Sequence, residues 1–482
     1  MRLKELIKSL GDYQSGPLED FQVKGIGCDS KKISDGFIFI AIKGTARDGH
    51  RFIQEAIKKG AGAVIAEEPQ ASVKNLIIVN DTRRALAKLA AAFYGYPARK
   101  IKIIGITGTN GKTTVSYLVE KMLKEAGAGV AVIGTINYRF KDKVIPAKNT
   151  TPGPIEIQSL LADMRQSGVQ YAVMEVSSHA LDQNRIEGID FSSAIFTNLT
   201  QDHLDYHLTL ENYFLAKAKL FQGLSPQAFA VLNNDDPYSE RLKKMTRAKI
   251  VTYAIEKKAD LAAGQIQMDM SATTFSLGYR QAKMLGRVSL IGKHNVYNLL
   301  AAVAWGLTEG LDPEIIKSAL EKFGVVPGRL QRIDCPNGFS VFVDYAHTED
   351  ALTSVIKTLR QLSKKRIIVV FGCGGERDKT KRSKMGRAVS ELADFAIITS
   401  DNPRSEEPLS IIEDIKQGIS KNNYCVIPER RDAIRESLSM AKPQDIVLVA
   451  GKGHENCQIL KDKTIPFDDS EVVKECLRSM NY

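Results

Sequence analysis

Short apolar runs recur along the chain, each followed by a polar or glycine-bearing turn and often by a stretch with helical spacing. Near the start, Leu3, Ile7 and Leu10 share one face of an amphipathic helix. Phe37-Ile38-Phe39-Ile40-Ala41 and Ala63-Val64-Ile65-Ala66 predict strands, and the spacing of Phe52, Ala56 and Ile57 predicts a helix between them. The run Ile101 to Ile106 predicts a buried strand, and Val115, Leu118, Val119 and Leu123 give residues 112–125 a helical period. Further strands are expected over 171–176, 193–197, 229–232 and 250–254, antiparallel strands over 260–292, and a helix over 295–310 that stops at Gly310. The same rhythm continues over 340–343, 366–371, 395–399 and 445–450, each strand ending in a loop rich in Gly, Asp, Asn or His. Strands that alternate with helices imply parallel sheets with crossover connections.

The fold class expected is therefore α/β in three domains: a small N-terminal α/β domain over 1–98, a central P-loop ATPase-like parallel sheet with extra antiparallel strands over 99–328, and a C-terminal Rossmann-like domain over 329–482. A length of 482 residues agrees, at about 150 residues per domain. In doubly wound sheets ligands bind beyond the carboxyl ends of the strands. In the last third those ends carry Asp344-Tyr-Ala-His347, Gly372 to Arg377, Asp401-Asn-Pro-Arg404 and Gly451-Lys-Gly-His-Glu455. The early polar loops Cys28 to Lys32 and Gly44 to His50 read as surface turns.

Composition narrows the function. No apolar run reaches the roughly 20 residues of a membrane helix, and the first residues carry neither an apolar signal core nor a small-residue cleavage site, so a cytoplasmic protein with no membrane partner is expected. The net charge of +11 fits a polyanionic partner of some kind. Basic residues are dispersed, and none of the basic stretches is interleaved with aromatics as in single-strand binders, so nucleic acid is not the expected one. Six scattered cysteines without a C-x-x-C pair imply reduced thiols and no zinc ribbon. Six of seven histidines (His179, His203, His207, His294, His347 and His454) fall in or beside glycine-rich or acidic segments.

Gly105-Ile-Thr-Gly-Thr-Asn-Gly-Lys-Thr-Thr114 joins the predicted strand to the predicted helix. Its glycines allow a tight turn that aims N–H groups at phosphate oxygens, and the helix N-terminus adds positive potential. Gly108, Thr109, Asn110, Gly111, Lys112, Thr113 and Thr114 are thus the nucleotide-binding candidates, with Lys112 on the outer phosphates and Thr113 on Mg²⁺. Ile106 stands where the strict P-loop pattern has its first glycine.

This loop resembles the ATP loop of the Mur ligase and folylpolyglutamate synthetase superfamily. Asn149-Thr-Thr-Pro152, Glu175-Val-Ser-Ser-His179, Asn198 to His207, Ala216-Lys217, His294-Asn-Val-Tyr-Asn298, Gly328-Arg329, Asp344 to His347 and Asp401 to Arg404 are similar, in order, to segments of its diaminopimelate-adding members. The resemblance runs from about residue 28 to 455. It implies an ADP-forming ligase of peptidoglycan precursor synthesis that uses ATP and Mg²⁺. Its substrates would be UDP-N-acetylmuramoyl-L-alanyl-D-glutamate and meso-2,6-diaminopimelate, joined through an acyl phosphate by an enzyme expected to be a monomer.

The resemblance also implies roles. Lys112, Glu175, His203 and Lys217 would be catalytic, and Thr113, Glu175, His203 and Lys217 would hold metal, with Lys217 carbamylated. On residues alone Lys217 reads as an ordinary helix-surface lysine and Glu175 as a solvated strand cap. Asn295, Asn298 and Arg329 would meet the ATP base and ribose, with Asp344 and His347 near the phosphates. Asn295 alone reads equally well as a helix cap. Ser30 would lie toward the uridine, and Asn149, Thr150, Thr151, Ser177, Gln183 and Arg185 around the muramoyl peptide. Arg377, Asp401, Asn402, Pro403, Arg404, Gly451 and Glu455 would receive the amino acid, arginine forks pairing with carboxylates and Glu455 accepting from an ammonium. Ser405-Glu406-Glu407-Pro408 departs from the Asp-Pro ending of the family pattern but keeps its acidity. Competing readings are a lysine-adding ligase, another Mur or folylpolyglutamate ligase, and a nucleotide-binding regulator without turnover. Asp401-Asn-Pro-Arg404 argues against the first two, because a neutral or acidic residue in place of Arg404 would suit a lysine side chain better.

Overall fold

A computed structural model describes residues 1–44, 47–70, 73–279 and 282–480. Thr45 and Ala46, inside the expected polar loop after Gly44, lie outside the described residues. Three large sheets follow one another along the chain, and a two-stranded one, Cys457–Ile459 with Thr464–Pro466, lies near its end. The first has five strands in the order Gln14–Ser15, Leu76–Ile78, Ala61–Ala66, Phe37–Ile40, Gly25–Gly27, all parallel except the first pair. Its core joins the predicted face of Leu3, Ile7 and Leu10 to Ile38, Ile40, Ile65 and Leu89.

The central sheet has eleven strands. Its parallel middle runs Lys249–Ala254, Phe229–Asn233, Phe191–Phe196, Lys102–Thr107, Tyr171–Glu175, Val130–Ile133. Strands with both faces covered read as continuous apolar runs. Met174 joins one core while its neighbour Val173 joins the other, against the helices Lys112–Glu125 and Lys293–Glu309. Trp305 is fully buried in that second core, its indole N–H donating to Ser193 Oγ at 2.9 Å. One end of the sheet carries the expected antiparallel strands Leu261–Met268, Thr273–Tyr279 and Ala282–Val288. The other carries a hairpin, Asn137–Phe140 with Lys143–Pro146, that the pattern of residues did not suggest.

The third sheet places Gln331–Ile333 antiparallel to Ser340–Asp344, followed by parallel Ile446–Ala450, Ile367–Phe371, Phe395–Ile398 and Tyr424–Val426. Because Ile446–Ala450 inserts between two strands from much earlier in the chain, the loops after residues 344, 450, 371 and 398 become neighbours along one edge. Among the described residues no helix is long and apolar enough to cross a membrane.

Candidate active site

The loop after Lys102–Thr107 is held by its surroundings. Thr109 N donates to Asn198 O at 2.8 Å, Asn110 N to Asn198 Oδ1 at 3.0 Å, and Thr197 Oγ1 to Asn110 O at 2.6 Å. A Cβ at Gly108 would lie 1.9 Å from Thr197 Oγ1, and one at Gly111, where φ is +90°, would lie 2.1 Å from Asn298 Oδ1. Both positions therefore exclude a side chain. Lys112 and Thr113 open the helix Lys112–Glu125. Lys112 Nζ donates to Gly108 O at 2.8 Å and Thr109 O at 2.9 Å, and burial lowers its pKa. Thr113 and Thr114 are buried behind the loop.

Glu175 ends its strand fully enclosed at 1% exposure, not as a solvated cap. Oε2 accepts from Thr113 Oγ1 at 2.9 Å and from Thr135 Oγ1 at 2.8 Å, while Oε1 accepts from Thr135 N at 3.1 Å. Thr135 Oγ1 also lies 3.1 Å from Thr150 Oγ1, so one residue links the metal candidates to the loop of Asn149, Thr150 and Thr151. That loop is braced in turn: Thr151 Oγ1 donates to Glu175 O at 2.8 Å and accepts from Ser177 N at 2.9 Å, and Arg185 Nη1 donates to Thr151 O at 2.9 Å. Gln183 Oε1 accepts from Arg185 Nη2 at 2.8 Å.

Lys217 is not on a helix surface. It is 1% exposed, its Nζ donates to Gly108 O at 2.9 Å, and the amine sits 4.4 Å from the centre of the Tyr213 ring. Both lysine amines, Lys112 and Lys217, thus converge on one carbonyl. Burial, with Lys112 adding to it, drives the Lys217 pKa well down. Lys219, two residues on, is exposed and reaches Asp182. His203 lies 6.1 Å from the Tyr213 ring and 4.8 Å from His179, between ring centres, and desolvation lowers its pKa to about 3. Its imidazole is therefore neutral at physiological pH, the form that ligates metal.

Among the described residues no three His, Cys, Asp or Glu side chains form a ready-made metal cluster. A hydroxyl, one carboxylate and a neutral imidazole suit a cation that takes few protein ligands and keeps phosphate oxygens and water, as Mg²⁺ does. Arg329 tests the nucleotide in the same way. Its Nη2 reaches Thr113 Oγ1 at 3.3 Å and its guanidinium packs 4.7 Å from the Tyr345 ring centre, but its buried Nε has no partner. An oxygen-rich ligand beside the phosphate loop would satisfy it. Asn295 and Asn298 are buried behind Gly111 and bonded to each other at 3.0 Å; Gly292, not Asn295, caps their helix. Asp344 accepts from Leu330 N and Ala346 N, which ties it to the segment just before the strand Gln331–Ile333.

A cleft of about 830 Å³ runs between the central and C-terminal sheets. Thr135, Asn149, Thr150, Thr151, Ser177, Arg185 and His203 line one wall, and His347, Arg377, Asp401, Asn402, Arg404, Gly451 and Glu455 the other. Pro403 is buried beneath its turn. Gln183 stands behind Arg185, outside the lining, and Ser30 lies in the first domain with its hydroxyl donating to Glu55 Oε2 at 2.9 Å. Arg404 adopts φ +53° and its Nη1 donates to Gly375 O at 2.7 Å; no carboxylate among the described residues pairs with it. Glu406 does more than keep a loop acidic: it takes Arg382 in a two-point pair at 2.9 and 3.0 Å and accepts from Glu376 N, joining the 372–377 and 401–406 loops.

Sequence reasoning gave no role to Thr135, Tyr213 or Lys452 and read in Glu406 only the acidity of its loop. Thr135 follows the strand Val130–Ile133, and the strand-end rule applied there would have raised it.

Models of the Mur ligase family, catalytic domain (residues 22–94), the Mur ligase middle domain (106–306) and the Mur ligase, glutamate ligase domain (328–453) match the chain. It is 45% identical over 489 residues to UDP-N-acetylmuramoyl-L-alanyl-D-glutamate–2,6-diaminopimelate ligase of Clostridium tetani, covering 100% of both chains. The enzyme of the same name from Syntrophomonas wolfei is 44% identical over 486 residues, with 99% of each chain covered. A solved structure of a ligase with this name superposes with a TM-score of 0.69 at 35% identity, over 95% of this chain and 96% of that one. With three domain models in order and full-length relatives at this identity, the chain belongs to the Mur ligase family.

Proposed function

We propose that the protein is an ATP-dependent, ADP-forming ligase that joins meso-2,6-diaminopimelate to UDP-N-acetylmuramoyl-L-alanyl-D-glutamate in peptidoglycan precursor synthesis, acting as a cytoplasmic monomer. The observation that carries this reading is a cleft with the 149–151 loop, Ser177 and Arg185 on one wall and the 372–377, 401–404 and 451–455 loops on the other, joined to the phosphate loop through Thr135 and Glu175. Residues 1–98 are assigned to the UDP moiety, with Ser30 toward the uridine, 99–328 to ATP and the muramoyl peptide, and 329–482 to the amino acid.

ATP supplies the phosphoryl group that activates the D-glutamyl side-chain carboxylate, and the amine of the incoming amino acid displaces phosphate through a tetrahedral intermediate. Negative charge gathers on the transferred group, so catalysis rests on fixed donors and cations. Lys112 and the loop N–H groups other than those of Thr109 and Asn110, which Asn198 holds, are those donors, and the Asn198 and Thr197 contacts keep the loop in shape before substrate arrives. Thr113, Glu175, His203 and a carbamylated Lys217 would hold Mg²⁺, which when bound would supply positive charge against the phosphates. Lys217 is suited to carbamylation because its enclosed amine is easily deprotonated, and a neutral amine is what adds to CO₂; the product is an anion with two oxygen acceptors. Asn295, Asn298 and Arg329 serve the base and ribose, and Asp344 and His347 stand at the phosphate side of the domain junction.

At the far wall Arg404 and Arg377 offer guanidinium groups to substrate carboxylates, and Asp401, Asn402, Gly451 and Glu455 complete the pocket. The test is phosphate release from ATP, measured with the muramoyl dipeptide and each candidate amino acid in turn. Release is expected only when dipeptide and diaminopimelate are both present. Turnover without the dipeptide would sink the reading.

A further inference from the structure

Lys452 is the one lysine among the amino-acid loops whose side chain is 0% exposed. It cannot touch a ligand in the cleft. Its ammonium lies 3.0 Å from Asn402 Oδ1 and 3.0 Å from Glu455 Oε2, two residues that line the cleft from different loops. Asn402 Oδ1 also accepts from Ile459 N at 3.0 Å, so both donors fall on the same side of the amide and its Nδ2 turns to Glu455 Oε2 at 2.7 Å. Glu455 is left with one oxygen fully engaged, Oε2, and one, Oε1, without a hydrogen bond from the described residues.

An enclosed ammonium must be paired, and the only carboxylate paired with it among the described residues is one that borders the cleft. We propose that Lys452 is a positioning residue for the amino-acid substrate: beside an Asn402 amide that Ile459 N orients, it pins Glu455 Oε2 so that Glu455 Oε1 is presented to the substrate's ammonium group. The proposal rests on reading this wall of the cleft as the amino-acid site. It separates two tasks within one loop, since Glu455 accepts from the ligand and Lys452 holds Glu455 in the rotamer that does so. Replacing Lys452 by Met keeps the length of the side chain but removes both contacts. Glu455 Oε2 then keeps a single neutral partner, Asn402 Nδ2, and loses the cation that held its rotamer, while Asn402 stays oriented by Ile459 N.

The experiment is steady-state phosphate release by the full-length enzyme for wild type, Lys452→Met, Lys452→Gln, Glu455→Gln and the Lys452→Met/Glu455→Gln double variant, with circular dichroism and thermal melts alongside. Lys452→Met is expected to raise KM for diaminopimelate at least tenfold while KM for ATP and for the dipeptide stays within twofold. Lys452→Gln, which keeps a donor for Asn402, should fall between it and wild type. In the double variant the KM should match that of Glu455→Gln within twofold, since removing a support has no further effect once its load is gone. An unchanged KM for diaminopimelate, equal rises in all three KM values, or multiplicative effects in the double variant would overturn the proposal. Loss of fold in both single Lys452 variants would also overturn it, by making Lys452 a structural strut. If wild type itself shows no turnover dependent on an amino acid, the functional reading fails instead, which separates the two.

Discussion

Meso-diaminopimelate differs from lysine by a second carboxylate on its distal carbon, so a site that selects it must present a fixed cation. Arg404 is that cation in the proposed function, and Arg404→Ala tests it cleanly. Its backbone sits at φ +53°, a region that strains alanine as it does arginine, so the backbone penalty is common to both forms and cancels in the comparison. What the variant loses is the guanidinium. One of its nitrogens, Nη1, is spent on Gly375 O at 2.7 Å, and no protein carboxylate competes for the rest among the described residues. A charge-assisted hydrogen bond to a substrate carboxylate contributes about 1.5 to 3 kcal/mol, or roughly 10- to 150-fold in kcat/KM. Wild type should therefore prefer diaminopimelate over lysine by about a hundredfold or more, because lysine leaves the guanidinium unpaired as well. In Arg404→Ala that ratio should fall toward unity, chiefly through loss of activity on diaminopimelate. The assay is phosphate release across a concentration series of each amino acid at saturating ATP and dipeptide. Equal use of lysine by the wild type, or a preference untouched in Arg404→Ala, would refute the assignment.

Three further outcomes are expected. Lys112→Ala and Glu175→Ala should each lower kcat by about 10²-fold or more with native circular dichroism, since both remove fixed charge from the phosphoryl-transfer site; near-native turnover in either would exclude the proposed centre. Lys217→Ala should be nearly inactive and be partly restored by a small carboxylate such as formate, whereas full activity without rescue would count against carbamylation. Glu406 has its pKa lowered from 4.5 to about 2, chiefly by hydrogen bonds from Arg382. A depressed carboxylate pKa stabilises the fold at pH above 4.5, and that contribution is lost as pH falls from 4.5 toward 2. After allowance for solvent screening it is about 1 to 2 kcal/mol, so thermal melts between pH 5 and 2 should fall more steeply for wild type than for Glu406→Gln; parallel curves would contradict the pairing.

Much of this architecture is legible in the chain because neighbouring residues encode it. The helix expected over 112–125 spans Lys112–Glu125, and the helix ending at Gly310 stops there with that glycine at φ +91°. The phosphate loop was readable for the same reason: glycines, lysine and threonine act from contiguous positions, through backbone geometry that sequence dictates. Lys217 was half readable. It follows Tyr213 by four residues and precedes Leu220 and Phe221 by three and four, which puts it on the buried face of the helix Leu210–Gln222, although an isolated lysine suggests the opposite.

Local pattern, then, sets the α/β rhythm, the order of elements and the phosphate loop, because dihedral preference and burial periodicity act over a few residues. It does not set which loops meet. Sheet order brings residues 344, 371, 398 and 450 to one edge, and it places Thr135 between Glu175 and Thr150. Lys452 shows the same limit most plainly. In sequence it is one lysine between two glycines, and only the packing of the 451–459 loop against Asn402 encloses it, since a charge is sealed from water by residues distant in the chain and never by its neighbours alone.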